Sequence, residues 1–187
     1  MADDFQDTPT IPVARLSANQ TYDFALNLTH EDRATIIEEL DLLSLKKTNF
    51  TGTLKPDGTD DWLLTAHLGA TVQQACVITL APVTARIEER VERLFVRAMP
   101  DFSDLDDDAE VEMPDDERAE ALGNTINLVD VFREALALAL PPYPRAEGAA
   151  LEEAVFAEKG TTPLKDEDTK PFAGLAALKA KLQPPEK

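Results

Sequence analysis

Tyr22, Phe24, Leu26 and Leu28 alternate with Asp23, Ala25 and Asn27, and this two-residue period constrains the fold more than any other feature. Successive side chains of a strand point to opposite faces, so such a run has one buried face and one wet face. Trp62, Leu64, Ala66 and Leu68 repeat the pattern against Leu63, Thr65 and His67. Between the two runs, Ser44–Lys55 reads as a strand closed by a turn at Pro56-Asp57-Gly58. Gly69 is expected to mark a bulge, after which Thr71–Thr79 continues the strand. Ile11–Leu16 reads as a short strand, and residues 1–10, polar and unpatterned, as a frayed end.

Two helices interrupt this β pattern. Thr29 stands three residues before Asp32, an N-cap with an acid in the first turn, and predicts a helix over His30–Leu40. Its apolar face is Ile36, Ile37 and Leu40. A second helix opens at Thr125 or Asn127, carries Leu128, Val131, Phe132, Ala135, Leu136 and Ala139 on one side, and ends at Leu140 before Pro141-Pro142. Val83–Ala98 is ambiguous: Ile87, Val91, Leu94 and Phe95 make a helical stripe, whereas Ile87, Glu89, Val91, Arg93 and Phe95 would share one strand face. Periodicity taken alone favours the helix there slightly.

Charge narrows the function. The 187 residues hold 36 acidic and 18 basic side chains, a net charge of −18, which repels phosphate backbones and argues against broad nucleic-acid binding. Residues 101–120 alone carry eleven carboxylates against Arg118, and charge at that density predicts a solvated, mobile loop. The chain has no apolar run of transmembrane length and no signal-peptide pattern at its start, so a soluble cytoplasmic protein is expected.

Catalytic chemistry finds little support. His30 and His67 lie in no motif, and Ser17, Ser44 and Ser103 in no nucleophile elbow. Cys76 and His67 would make a thiolate–imidazole pair only if adjacent strands brought them face to face; a buried thiol and an exposed histidine are the simpler expectation. The seven glycines never fall closer than six apart, so no phosphate cradle forms. Asp104, Asp106 and Asp108 begin like a calcium loop but lack its central glycine and its closing glutamate. Arg86, Arg90, Arg93 and Arg97 are interleaved with Glu88, Glu89 and Glu92 and have no aromatic stacking platform among them, so any RNA contact would be local. No catalytic residue, metal site or cofactor is expected.

Two segments carry a family signature. Gln74-Ala75-Cys76-Val77-Ile78-Thr79-Leu80-Ala81-Pro82-Val83, followed by an alternating Arg/Glu/apolar run, resembles the central motif of the YceD-like proteins, named for accumulation of large-subunit ribosomal RNA. Lys170-Pro171-Phe172-Ala173-Gly174-Leu175-Ala176-Ala177-Leu178-Lys179 resembles the family's terminal box. Between them, the acidic insert and Ile126–Pro141 follow the family's order of elements, so the resemblance runs from about residue 45 onward. It implies that Val83–Ala98 is a strand leaving the cysteine motif, overriding the periodicity. It also implies motif and partner-binding positions at Cys76, Pro82, Val83, Pro171, Phe172, Leu175, Leu178 and Lys179. Many members have Cys-x-x-Cys here and further cysteines after the helix-ending proline. This chain has Thr79 at the second position and no cysteine in Tyr143–Gly148, so it cannot form a zinc site alone.

The expected fold is α+β: an antiparallel sheet of roughly five or six strands with two packed helices, a mobile acidic loop and a flexible C-terminal tail. Residues 11–140 would form the domain, 141–170 a linker and 171–182 a motif whose Phe172, Leu175, Leu178 and Leu182 fall on one helical stripe. The resemblance implies a non-enzymatic role in accumulation or maturation of large-subunit (23S) ribosomal RNA. Charge favours a basic ribosomal protein or a large-subunit assembly or processing factor as partner. The rival readings are an acidic module or nucleic-acid mimic unrelated to ribosomes, and a small enzyme using Cys76.

Overall fold

A computed structural model of the chain describes residues 5–97 and 119–150. Its elements belong to one compact unit, Met1–Glu147. They follow in the order β1 (Phe5–Gln6), β2 (Thr10–Pro12), a 3-10 turn (Val13–Arg15), β3 (Tyr22–Leu26), α1 (His30–Glu39), β4 (Ser44–Asp57), β5 (Asp61–Ala75), β6 (Pro82–Val96), β7 (Ala119–Ala121), β8 (Thr125–Asn127) and α2 (Leu128–Ala139). Six strands form one sheet in the order β1-β3-β4-β5-β6-β7, and β2 and β8 form a separate antiparallel pair. The α+β expectation holds. The central sheet is antiparallel from β3 to β6, with a short parallel strand at each edge.

The alternation read from the sequence is the alternation of burial. Tyr22, Phe24 and Leu26 of β3, and Trp62, Leu64, Ala66, Leu68, Ala70 and Val72 of β5, are buried on one face. The opposite face, with Thr51, His67 and Arg90 exposed, lies open to water. Both helices cover the buried face. Thr29 caps α1 as a capping box: its hydroxyl accepts from the Asp32 N–H at 3.1 Å, and the Asp32 carboxylate accepts from the Thr29 N–H at 2.9 Å. Asn127 caps α2 by accepting from the Val129 N–H. α2 buries Leu128, Val131, Phe132, Ala135 and Leu136, and Phe132 meets Phe50 edge-on at 5.7 Å, with Phe24 behind it at 5.6 Å from Phe50.

Several local expectations are corrected. Val83–Ala98 is not a helix: Pro82–Val96 is strand β6, paired with β5 along its whole length, as the resemblance implied. Its buried residues Ile87, Val91 and Phe95 are four apart, a spacing that puts them on one side of a helix and equally on one side of a strand. Gly69 does not itself carry the extra residue: it keeps its register with β6, and the bulge facing this part of β5 sits in β4 between Lys46 and Asn49, with Lys47 at φ +49°. Gly69 instead makes room for a guanidinium, since a Cβ there would lie 2.6 Å from Arg86 Nη2. The β4–β5 turn is Gly58–Asp60 and not Pro56–Gly58, because Pro56 and Asp57 still pair with Trp62 and Asp61. Ile11–Leu16 is divided between β2 and the 3-10 turn. Phe5 is not frayed but buried, held by pairing with Phe24 of β3 and by the ring of Tyr22 at 5.5 Å. Strand β5 ends at Ala75 and not at Thr79. Of the acidic loop, 101–118 lies outside the described residues, and its last two positions belong to β7.

Candidate functional site

The central family motif forms the hairpin turn between the two longest strands. β5 delivers Cys76, the turn Val77–Leu80 reverses the chain, and Pro82 and Val83 open β6 opposite Ala75 and Gln74. The Cys76 N–H donates to the Ala81 carbonyl at 2.8 Å and the Leu80 N–H to the Cys76 carbonyl at 2.9 Å. Leu80 takes φ +60°, which reverses the chain within so few residues.

Backbone wraps the thiol. Cys76 is fully buried, and its Sγ accepts from the N–H groups of Ile78 and Thr79, each at 3.4 Å, and of Ala146 at 3.3 Å. Ala146 arrives because the segment after α2 returns to the turn. Gln74 Nε2 donates to the Pro141 carbonyl at 3.3 Å, and the Val77 N–H donates to the Pro144 carbonyl at 3.0 Å. Thus Pro141–Glu147, the first part of the stretch read as linker, is tied to the knuckle. Composition carried no sign of this. The signal was the resemblance, which sets family cysteines at Cys76 and after the helix-ending proline; here an N–H to sulfur bond joins those two places.

The Ala146 N–H acts most strongly on the thiol, followed by the Thr79 hydroxyl and N–H. Burial opposes them, the Ile78 N–H adds to them, and the net effect holds the thiol pKa down to about 6. A group whose pKa is depressed by folding adds stability above its unfolded pKa and loses it as pH falls through the folded value. Cys76 should therefore contribute nothing extra below pH 6 and progressively more toward the ordinary thiol range. The gap in Tm between the native protein and Cys76→Ala should widen from pH 6 to pH 9 in thermal melts. A gap independent of pH would mean that the thiol stays neutral.

The residues present do not fit a zinc ion. One thiol stands alone with its lone pairs turned to three N–H donors, and Thr79 occupies the place of a second ligand. Among the described residues no three His, Cys, Asp or Glu side chains converge to hold a metal. Nor do Cys76 and His67 meet. His67 is on β5 and Cys76 directly follows its end, nine residues along the chain, which in an extended strand is about 30 Å. His67 lies on the open face, 57% exposed, with Nε2 at 3.4 Å from Glu88. Arg86 also grips Glu88 and donates to the Lys47 carbonyl and the Thr71 hydroxyl, so these charges knit the open face together.

Large apolar side chains left in water gather near the knuckle. Val77 and Leu80 are on the turn, Tyr143 precedes the Pro144 contact, and the Leu43 N–H bonds to the Gln73 carbonyl at the same end of β5. Exposed apolar groups in such proximity mark contact surfaces. Pro171, Phe172, Leu175, Leu178 and Lys179 lie outside the described residues. No helix among the described residues is long and apolar enough to cross a membrane.

Fold and site together define an α+β domain whose longest hairpin closes in a cysteine knuckle wrapped by backbone. The model of one family, described as large ribosomal RNA subunit accumulation protein YceD, matches residues 64–179, and the chain belongs to that family. This gives it a ribosome-related role. No curated protein and no solved structure matched the chain.

Proposed function

We propose that the chain is a non-enzymatic factor of ribosome biogenesis that promotes accumulation or maturation of 23S ribosomal RNA. The family match across residues 64–179 carries this reading, since it spans more than half of the sequence and both of the segments singled out there. The factor acts in the cytoplasm through a basic ribosomal protein or a large-subunit processing factor. Its net charge of −18 and the eleven carboxylates of residues 101–120 favour such a partner over RNA itself. Direct RNA contact, where it occurs, is local.

Cells lacking the protein should show a lowered ratio of 23S to 16S ribosomal RNA, restored by the native chain. A version without residues 101–118, which leaves β7 in place, should restore it less and should leave large-subunit particles at lower salt in sedimentation. An unchanged ratio in the deletion strain would sink the proposal.

A further inference from the structure

β6 is bonded to β5 along one side from Pro82 to Val96, but on its other side β7 covers only Leu94–Val96. The bond from the Cys76 N–H to the Ala81 carbonyl sets the alternation of the antiparallel ladder. Odd-numbered residues of β6 turn their backbone groups to β5, and even-numbered ones turn theirs outward. The Leu122 N–H, which donates to the Val96 carbonyl at 2.8 Å, agrees with this at the far end. Among the described residues, no strand pairs with the outward N–H and C=O groups of Arg86, Glu88 and Arg90.

Beside this edge runs α2, leaving an open groove of about 620 Å³. Glu89–Arg93 form one wall; Ala135, Leu138 and Ala139 form the other, with Leu138 75% exposed. The charges on hand leave a surplus of carboxylate. Glu92 binds Arg90 at 2.6 Å and Glu134 binds Arg93 at 2.5 Å, while Glu89 makes no ion pair among the described residues. Glu120, on β7 at the end of the groove, has its carboxyl pushed up first by burial and then by Glu134. A second copy of this chain would bring another −18 to the edge, so a cationic occupant is favoured over self-pairing.

We propose that the edge of β6 accepts an extended, lysine- or arginine-bearing segment of a partner protein as an added strand, with apolar side chains laid over Ala135 and Leu138. Main-chain bonds to Arg86, Glu88 and Arg90 supply the pairing, and alternate side chains supply the selectivity. This inference rests on the reading of the chain as a factor that contacts a basic protein.

The test uses full-length, isotope-labelled protein and a capped octapeptide of alternating valine and lysine. Hydrogen exchange at the Glu88 and Arg90 amides should slow about tenfold on binding, less so at high salt. The matching valine–glutamate peptide should have no effect. Leu138→Lys, at an exposed site, and Arg90→Pro, which removes one outward N–H from an edge that tolerates proline, should each abolish the protection. Both variants should melt within a few degrees of the native protein; should Arg90→Pro fail to fold, Leu138→Lys decides alone. Absence of protection at the edge amides, protection by the glutamate peptide, or protection that survives Leu138→Lys would overturn the proposal. So would protection in the free protein that rises with its own concentration, which would assign the edge to a second copy. None of these outcomes bears on the 23S measurement, which tests the ribosomal reading separately.

Discussion

Phe132→Ala is expected to destabilise the domain by about 3–5 kcal/mol, a large part of the roughly 5–15 kcal/mol that holds a domain of this size together. Phe132 is fully buried and is the only aromatic side chain of α2. Its ring stands edge-on to Phe50 of β4, which in turn meets Phe24 of β3, so one side chain joins the helix to two central strands. Truncation removes the ring and leaves a void that backbone pairs on β4 and β5 are too well bonded to close. At about 3 °C per kcal/mol, the Tm should fall by about 10–15 °C. Phe132→Leu, which keeps most of the volume, should lose much less. Urea melts of the two variants, read at constant slope, check the order.

Gly52→Val is expected to rank beside it, at about 3 kcal/mol or more, for the opposite reason. A Cβ at position 52 would lie 2.3 Å from the Thr65 carbonyl oxygen and 2.7 Å from Ala66 Cα. These atoms are backbone of β5 well inside the β4–β5 ladder, where Gly52 faces Ala66 directly. A flexible side chain could swing aside; a paired strand cannot. Gly52→Ala should already show most of the loss, because the clash begins at the first carbon. A substitution at Gly69 should be milder, since what a Cβ meets there is the movable end of Arg86. A Gly52→Ala protein as stable as the native one would contradict this close approach of β4 and β5.

The helices were legible because their determinants are local. Thr29 with Asp32 and Asn127 with the Val129 N–H are bonds between residues two or three apart, and Pro141 stops α2 whatever lies around it. The long strands were legible as well, since one buried face demands alternation and the run from Trp62 to Leu68 supplies it, although the structure carries that alternation on to Val72. The knuckle was half legible. Cys76 could be singled out through the family motif, but the atoms that wrap its sulfur include an N–H seventy residues away.

What the sequence determined by itself is therefore the set of elements whose signal lies within a few residues: both helices, the Thr29 cap, the half-buried strands β3 to β5, and the acidic composition of the chain. Tertiary structure alone decided the rest. β1, β7 and β8 are strands of two or three residues with no period to read, and they exist only because a neighbouring strand offers bonds to them. β6 could not be resolved by spacing, because Ile87, Val91 and Phe95 satisfy both periods; fourteen successive pairs with β5 settle it. The extra residue lies in β4 across from the Gly69 stretch of β5, where the Lys47 carbonyl accepts from Arg86, thirty-nine residues on in the chain. In each case the deciding contact joins residues distant in the chain, and no local pattern encodes a partner that folding alone brings near.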